Sequence, residues 1–339
     1  MACAGAGHAI VASGRCEARC LLREENVTTL ASVVAAFKAN PNYAMMRGAA
    51  RFRSINGVVK GAKGFIEGKA YRALLSDLQG RLGESVFAGV DAERFVGDLK
   101  RDGCAFGLAL PAAEIEAIRA YAASDVTYAD RKPSLGFHVD RHRDAERALQ
   151  RPILVAQYFN TEAQCPTIAK LRADPFLHYA AARYFGSAPL VHDPNLWWTF
   201  ATNASEADKI NHAHRFHSDV DDFAILKFFF YITDVAVGDG SHVLVRGSNK
   251  ERPYRKFSDR LIIRRYTDDE ITSFYSADKI VDIGGPAGVG FAEDTFCIHK
   301  GNSPFDKPRL LLQFQFTLFD YDAQRDRAPA EQLKLIPLG

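Results

Sequence analysis

Two spacings of apolar residues divide this chain. From about residue 31 to 125 they recur at intervals of three and four, as on amphipathic helices, most clearly from Leu30 to Phe37 and from Tyr71 to Leu82. Ala92 to Leu99 predicts another short helix, closed by Gly103, and Cys104 to Leu108 predicts a strand. Pro111 sits well at a helix start, and the helical period from Pro111 to Ala123 carries glutamates in its first turns.

Beyond about residue 150 the pattern changes to short runs rich in β-branched and aromatic residues, broken by Gly, Asp, Asn and Pro. Strands are predicted at Ile153 to Phe159, Pro189 to His192, Leu196 to Ala201, Phe223 to Val235 and His242 to Val245. Further ones are predicted at Leu261 to Arg265, Lys279 to Ile283, Thr295 to His299 and Arg309 to Phe319. Strands of this number and kind point to a double-sheet sandwich of jelly-roll type, so the expected class is mainly β with a helical N-terminal layer (α+β). The expected organisation is a loose tail over 1–30 and a single domain over 31–339, with a helical cover to about 150 and a β core over 151–320. No Gly-rich phosphate loop follows a strand in a βαβ setting, so a dinucleotide-binding fold has no support.

Composition narrows the function classes. The 43 basic and 41 acidic residues leave a formal charge of +2, which gives no electrostatic reason to expect nucleic acid or an anionic membrane as partner. No stretch approaches the roughly 18 to 20 apolar residues needed to cross a bilayer. The first twenty residues lack a basic segment ahead of their short apolar piece and make a poor secretory signal, so a cytoplasmic location is expected. The six cysteines are scattered and are expected as free thiols; Cys16 and Cys20 have no second pair nearby to complete a zinc site.

The candidate chemistry lies in His212-Ala-His214-Arg-Phe-His217-Ser-Asp219-Val-Asp221-Asp222. In extended chain His217 and Asp219 point to one face, so an imidazole and a carboxylate can reach one ion, a donor set that suits ferrous iron. His299, before the turn Lys300-Gly-Asn-Ser-Pro304, is the natural third ligand. Two histidines and one carboxylate on one face leave three positions open, two for a bidentate co-substrate and one for O2. A second His-x-Asp, His138-Val-Asp140, leads into the charged run Arg-His-Arg-Asp-Ala-Glu-Arg and reads as a surface feature. After Asp219, by contrast, comes the long apolar run from Phe223 to Val235. Ten residues past His299, Arg309 opens the apolar strand Leu-Leu-Leu-Gln-Phe-Gln-Phe, where a guanidinium can hold a carboxylate through two parallel hydrogen bonds.

These pieces, in order from about Asn195 to Phe319, resemble the phytanoyl-CoA dioxygenase family of Fe(II)/2-oxoglutarate oxygenases. The resemblance runs through Trp197-Trp198-Thr-Phe, Phe216-His-Ser-Asp219-Val-Asp-Asp, Leu226-Lys-Phe-Phe-Phe-Tyr-Ile-Thr-Asp-Val235, Gly240-Ser-His-Val-Leu-Val-Arg-Gly-Ser248, Ile298-His-Lys-Gly301 and Pro308-Arg-Leu-Leu-Leu-Gln-Phe-Gln-Phe316. It implies a double-stranded β-helix (cupin-like) core that uses Fe(II), 2-oxoglutarate and O2 to hydroxylate an aliphatic carbon of a small metabolite. It carries the ligand roles onto His217, Asp219 and His299 and the 2-oxoglutarate role onto Arg309, with Thr199 and Lys227 as further co-substrate contacts. Arg246-Gly-Ser-Asn249 departs from the Pro-Gly-Ser-His of relatives, which bears on the substrate side and not on the iron.

Other residues draw plainer readings. His212 and His214 read as polar loop residues, His242 as a satisfied loop histidine, and Asp221 and Asp222 as turn residues. Cys297 reads as a buried thiol, the aromatic run Phe228-Phe229-Phe230 as core with one tryptophan lining the pocket, and Lys60, Lys63 and Lys69 as a solvated face. Two other classes stay open: a cupin-like metalloenzyme that does not use 2-oxoglutarate, and a non-catalytic metal-binding module on the same fold.

Overall fold

A computed structural model describes residues 38–203, 214–252, 264–322 and 326–338. Its helices are α1 (Pro41–Ala49), α2 (Arg53–Gly80), α3 (Ala92–Asp102), α4 (Ala112–Ser124), α5 (His142–Leu149), α6 (Thr161–Gln164), α7 (Pro166–Arg172), α8 (Pro175–Phe185) and α9 (Asp268–Phe274). The strands are β1 (Cys104–Ala109), β2 (Val126–Ala129), β3 (Gly136–His138), β4 (Val155–Gln157), β5 (Leu190–Val191) and β6 (Asn195–Thr199). They continue with β7 (Ile225–Tyr231), β8 (His242–Val245), β9 (Ile280–Ile283), β10 (Val289–Glu293), β11 (His299–Gly301) and β12 (Arg309–Thr317).

Nine strands form one antiparallel sheet in the order β1-β10-β7-β12-β6-β4-β2-β3, with β5 on β12, and β11-β8-β9 form a second, smaller sheet. The run Ile225–Tyr231 is buried throughout and apolar except for Lys227, because both of its faces are covered. Leu226, Phe228 and Phe230 pack with Phe314 and Phe316 of β12 against Phe95, Phe176 and Leu177 of the helices. The alternate residues Phe229 and Tyr231 pack with Trp197, Leu311 and Phe291 toward Leu244 and Ile283 of the smaller sheet. Strand alternation therefore feeds two apolar layers, and a strand buried on both faces loses the polar half of its pattern.

Helix α3 shows how the cover meets the sheet. Asp91 caps it by accepting the Arg94 N–H, and it buries Phe95, Val96 and Leu99. It stops at Gly103 in the left-handed region (φ 73), where a Cβ would lie 2.5 Å from Cys297 Sγ, and β1 begins at the next residue.

The expected division at residue 150 is not sharp. The predicted strand β1 and the unpredicted β2 and β3 lie in the mainly helical part and pair into the main sheet, whereas α6, α7 and α8 lie after residue 150. Strand β10 had no counterpart in the sequence reading. Thr295 to Ile298 forms a turn rather than a strand, so His299 opens β11 instead of ending a run. The runs expected at 30–37 and, in large part, at 261–265 lie outside the described residues, as do Cys3, Cys16 and Cys20. Among the described residues no helix is long and apolar enough to cross a membrane.

Candidate metal centre

His217 and His299 are brought together by backbone pairing. Each donates its N–H to the other's carbonyl oxygen, at 2.9 and 2.8 Å, so their side chains leave the sheet side by side with ring centroids 4.5 Å apart. The Asp219 N–H, bonded to the Thr295 carbonyl oxygen at 2.8 Å, turns the chain so that its carboxylate faces both rings. His217 Nε2 lies 3.6 Å from Asp219 Oδ1, and His299 Nε2 lies 3.8 Å from Oδ2. One donor atom from each of the three falls within 4.8 Å of the others, and among the described residues no other His/Cys/Asp/Glu group meets this test.

The outward ring nitrogens also suit a metal. His217 Nδ1 lies 2.8 Å from the Arg215 carbonyl oxygen and His299 Nδ1 lies 3.0 Å from that of Cys297. A carbonyl only accepts, so each Nδ1 carries a proton and each Nε2 can present its lone pair to the centre.

Charge is arranged around the ligands. Lys227 Nζ donates to Asp219 Oδ2 at 2.6 Å and lies 3.6 Å from Asp221 Oδ2. Burial works to raise the Asp219 pKa, but Lys227 and the two imidazoles outweigh it and hold the carboxyl well below its usual range. Burial first, then the charge of His299, pushes His217 down to about 3. Burial also opposes charge on His299, yet Glu293 and Asp219 prevail and raise it to about 9.

Arg309 opens β12 opposite Thr199 of β6. It is 4% exposed, and its Nη2 donates to Thr199 Oγ1 at 3.0 Å while Nη1 donates to the Gly240 carbonyl oxygen. Its buried Nε has no hydrogen-bond partner, and no carboxylate among the described residues pairs with it. Burial pulls this guanidinium below its ordinary pKa, and the Tyr231 hydroxyl group acts against it. A Cβ added to Gly301 would sit 3.8 Å from both Nη atoms, so the space in front of the guanidinium is left open by a missing side chain.

The remaining candidates are placed as follows. Thr199 is fully buried and reaches Arg309. Lys227 is seen gripping the ligand Asp219, a different contact from the co-substrate role expected for it. His138 and Asp140 are both exposed. His214 Nδ1 meets Ser303 Oγ at 2.5 Å, and His212 lies outside the described residues. Cys297 is wholly buried against the Asp102 and Gly103 carbonyls, and burial raises its thiol pKa well above the usual value. Of the lysines expected on a solvated face, Lys69 is exposed, whereas Lys60 lies over the Tyr184 ring and Lys63 bonds Glu67 and the Ala188 carbonyl.

Sequence reasoning missed Glu293. Its Oε2 lies 2.7 Å from His242 Nε2 and its Oε1 lies 3.2 Å from His299 Nδ1. The available signal was the alternation Val289-Gly-Phe-Ala-Glu293, which the neighbouring glycines obscure.

No family model and no curated protein matches the sequence. Solved structures similar to this one include the non-heme alpha ketoglutarate dependent epimerase SnoN from nogalamycin biosynthesis, 16% identical over 66% of this chain and 81% of that chain, with a TM-score of 0.43. HygX from Streptomyces hygroscopicus, with nickel and 2-oxoglutarate bound, is 13% identical over 67% of this chain and 87% of that one, with a TM-score of 0.45. The non-heme alpha ketoglutarate dependent carbocyclase SnoK from nogalamycin biosynthesis is 14% identical over 67% and 86%, with a TM-score of 0.43.

Proposed function

We propose that this chain is a non-haem Fe(II)- and 2-oxoglutarate-dependent oxygenase of phytanoyl-CoA dioxygenase type on a double-stranded β-helix, hydroxylating an aliphatic carbon of a small metabolite. The observation that carries the reading is the pairing of two incomplete sites. One is a facial set of two imidazoles and a carboxylate with lone pairs converging. The other is a buried arginine with no acidic partner among the described residues and open space before it. A buried cation without a counter-charge is costly, and a dicarboxylate whose far end met Arg309 would supply one. The first feature alone fits a cupin-like metalloenzyme or an inert metal site; the second favours 2-oxoglutarate.

His217, Asp219 and His299 would hold iron, and Arg309, steadied by Thr199, would hold the distal carboxylate. Iron and 2-oxoglutarate supply O2 activation, with the overall balance R–H + O2 + 2-oxoglutarate giving R–OH, succinate and CO2. The chain's own part is placement. The Nδ1–H groups of the histidines hold their rings against backbone carbonyls, Lys227 fixes the second oxygen of Asp219, and Phe229, Tyr231 and Trp197 keep the inner layer dry.

The test is an anaerobic visible spectrum after adding Fe(II) and then 2-oxoglutarate. Chelation by the 2-oxo acid should give a weak charge-transfer band, absent in His217→Ala and weakened in Arg309→Ala. Protein that binds iron without developing the band would overturn the 2-oxoglutarate reading in favour of the cupin-like one.

A further inference from the structure

We infer that Glu293 is a positioning residue for the ligand His299, held in place by His242. The inference rests on the metal site proposed above and adds two residues to it.

Glu293 ends β10 and is wholly buried, where a carboxylate is costly unless cationic or hydrogen-bonding groups face it. Its two oxygens face two imidazoles. Oε2 takes the Nε2–H of His242 at 2.7 Å, and Oε1, which has no hydrogen-bond partner, lies at ion-pair distance, 3.2 Å, from Nδ1 of His299. The His299 Nδ1–H is bonded to the Cys297 carbonyl oxygen at 3.0 Å, so the Glu293 carboxylate stands beside that donor as a second, charged neighbour. A metal on Nε2 withdraws electron density from the ring and makes Nδ1–H a stronger donor. The carboxylate gains more from that change than a neutral carbonyl does.

His242 explains why Glu293 stays on this line. It is 5% exposed, and its ring centroid lies 5.1 Å from those of both Phe229 and Phe291. It stacks near-parallel to the His299 ring at 5.4 Å. Walled in this way, its Nε2–H fixes one oxygen of Glu293 and aims the other at His299. A carboxylate serving the fold alone would need no metal-ligating imidazole as partner.

The experiment uses Co(II) alone, without co-substrate, and follows its loss from the folded full-length protein to excess chelator. This rate does not depend on protons competing for the empty site. Glu293→Gln should release Co(II) about 10- to 100-fold faster than wild type and shift the Co(II) visible bands, the range typical of lost outer partners of metal ligands. Release within about twofold of wild type, or unshifted Co(II) bands, would overturn the inference. If Glu293→Gln does not fold, His242→Gln serves instead: faster release supports the role, and unchanged release sinks it. His217→Ala separates the two levels. Unaltered Co(II) binding in that variant removes the metal site itself, whereas lost binding there with wild-type release from Glu293→Gln removes only the role of Glu293.

Discussion

Lys227 and Glu293 stand directly opposite one another in the register of β7 and β10, and each reaches a different ligand of the candidate metal centre. Lys227 places a positive charge on the carboxylate Asp219, and Glu293 places a negative charge beside the imidazole His299. On the same inner layer of the sheet, Arg309 and Thr199 form a second opposed pair. In the β7–β12 register Lys227 faces Gln315, so the two pairs lie toward opposite ends of β12, and each adds polar side chains to the inner layer.

Thr199→Val tests the second pair with almost no change of shape. It removes the oxygen that accepts from Arg309 Nη2 at 3.0 Å. A hydrogen bond from a charged guanidinium contributes roughly 1.5–3 kcal/mol, so the Kd for 2-oxoglutarate should rise about 10- to 100-fold. Metal affinity without co-substrate should not change. Titration of the charge-transfer band gives the first value and Co(II) binding the second; a shift in metal affinity alone would place Thr199 outside the co-substrate site.

Metal affinity should rise with pH, and the sign follows from the three ligands. His217 is already neutral above about pH 3, and Asp219 is ionised throughout the accessible range. His299, raised to about 9, keeps a proton at neutral pH that the metal must displace. Between about pH 7 and 9 the apparent affinity should therefore increase about tenfold per unit and then level off, with about one proton released per metal bound at pH 7. Calorimetry in buffers of different ionisation enthalpy counts that proton, and a flat profile over this range would contradict the assignment.

Asp222 is a structural counterpart three residues after Asp219. Its Oδ1 accepts the Phe223 N–H at 2.6 Å, and its Oδ2 accepts those of Leu318 and Phe319 at 2.5 and 2.8 Å, tying the end of β12 to the loop that carries the ligand. Asn keeps one acceptor oxygen and turns an NH2 toward backbone donors. Asp222→Asn should cost about 1–3 kcal/mol of stability, the penalty for an unsatisfied buried group, while the folded fraction still binds one metal. Chemical denaturation with and without Co(II) would show both effects.

How much of this could be read in the chain depends on how local the cause is. His217, Asp219 and His299, which the fold brings together, and Arg309, the proposed anchor, lie in short spacings beside long apolar runs, so their grouping had a local signal. Strand β10 was not, because Gly284, Gly285, Gly288 and Gly290 break its pattern. At Gly290 the reason is tertiary: a Cβ there would fall 2.4 Å from Phe230 Cδ1 across the sheet. With β10 unread, Glu293 had no face, and its approach to His299 spans strands far apart in sequence. Strands β2 and β3, of four and three residues, are too short to show a period and exist by pairing. The helices after residue 150 did leave signals, with Pro166 and Pro175 at helix starts and Asp174 accepting the Phe176 N–H. The β-branched runs on either side outweighed them. Lys227 was read by its position on a strand, but only three-dimensional placement shows that its ammonium meets Asp219.

Gly301 gives the sharpest test of where the co-substrate lies. It sits two residues after His299 on β11, so both positions face the inner layer, and its missing side chain leaves the Arg309 guanidinium uncovered. The nearest atoms to an added Cβ would be Arg309 Nη1 and Nη2, each at 3.8 Å, which is ordinary contact. Gly301→Ala should therefore fold and bind metal like wild type. Gly301→Leu should also keep the metal site, since the backbone pairing of His299 with Leu244 and His217 does not involve the added carbons. Its side chain would fill the space a carboxylate needs in order to meet the guanidinium. Losing one charge-assisted interaction of about 1.5–3 kcal/mol would raise the 2-oxoglutarate Kd about 10- to 100-fold. Matched titrations of Co(II) and of the Fe(II)–2-oxoglutarate band on the two variants decide the point. Weakened co-substrate binding in Gly301→Leu with intact metal binding puts the distal carboxylate between Gly301 and Arg309, whereas unchanged binding of both means that the buried arginine serves some other anion or the fold alone.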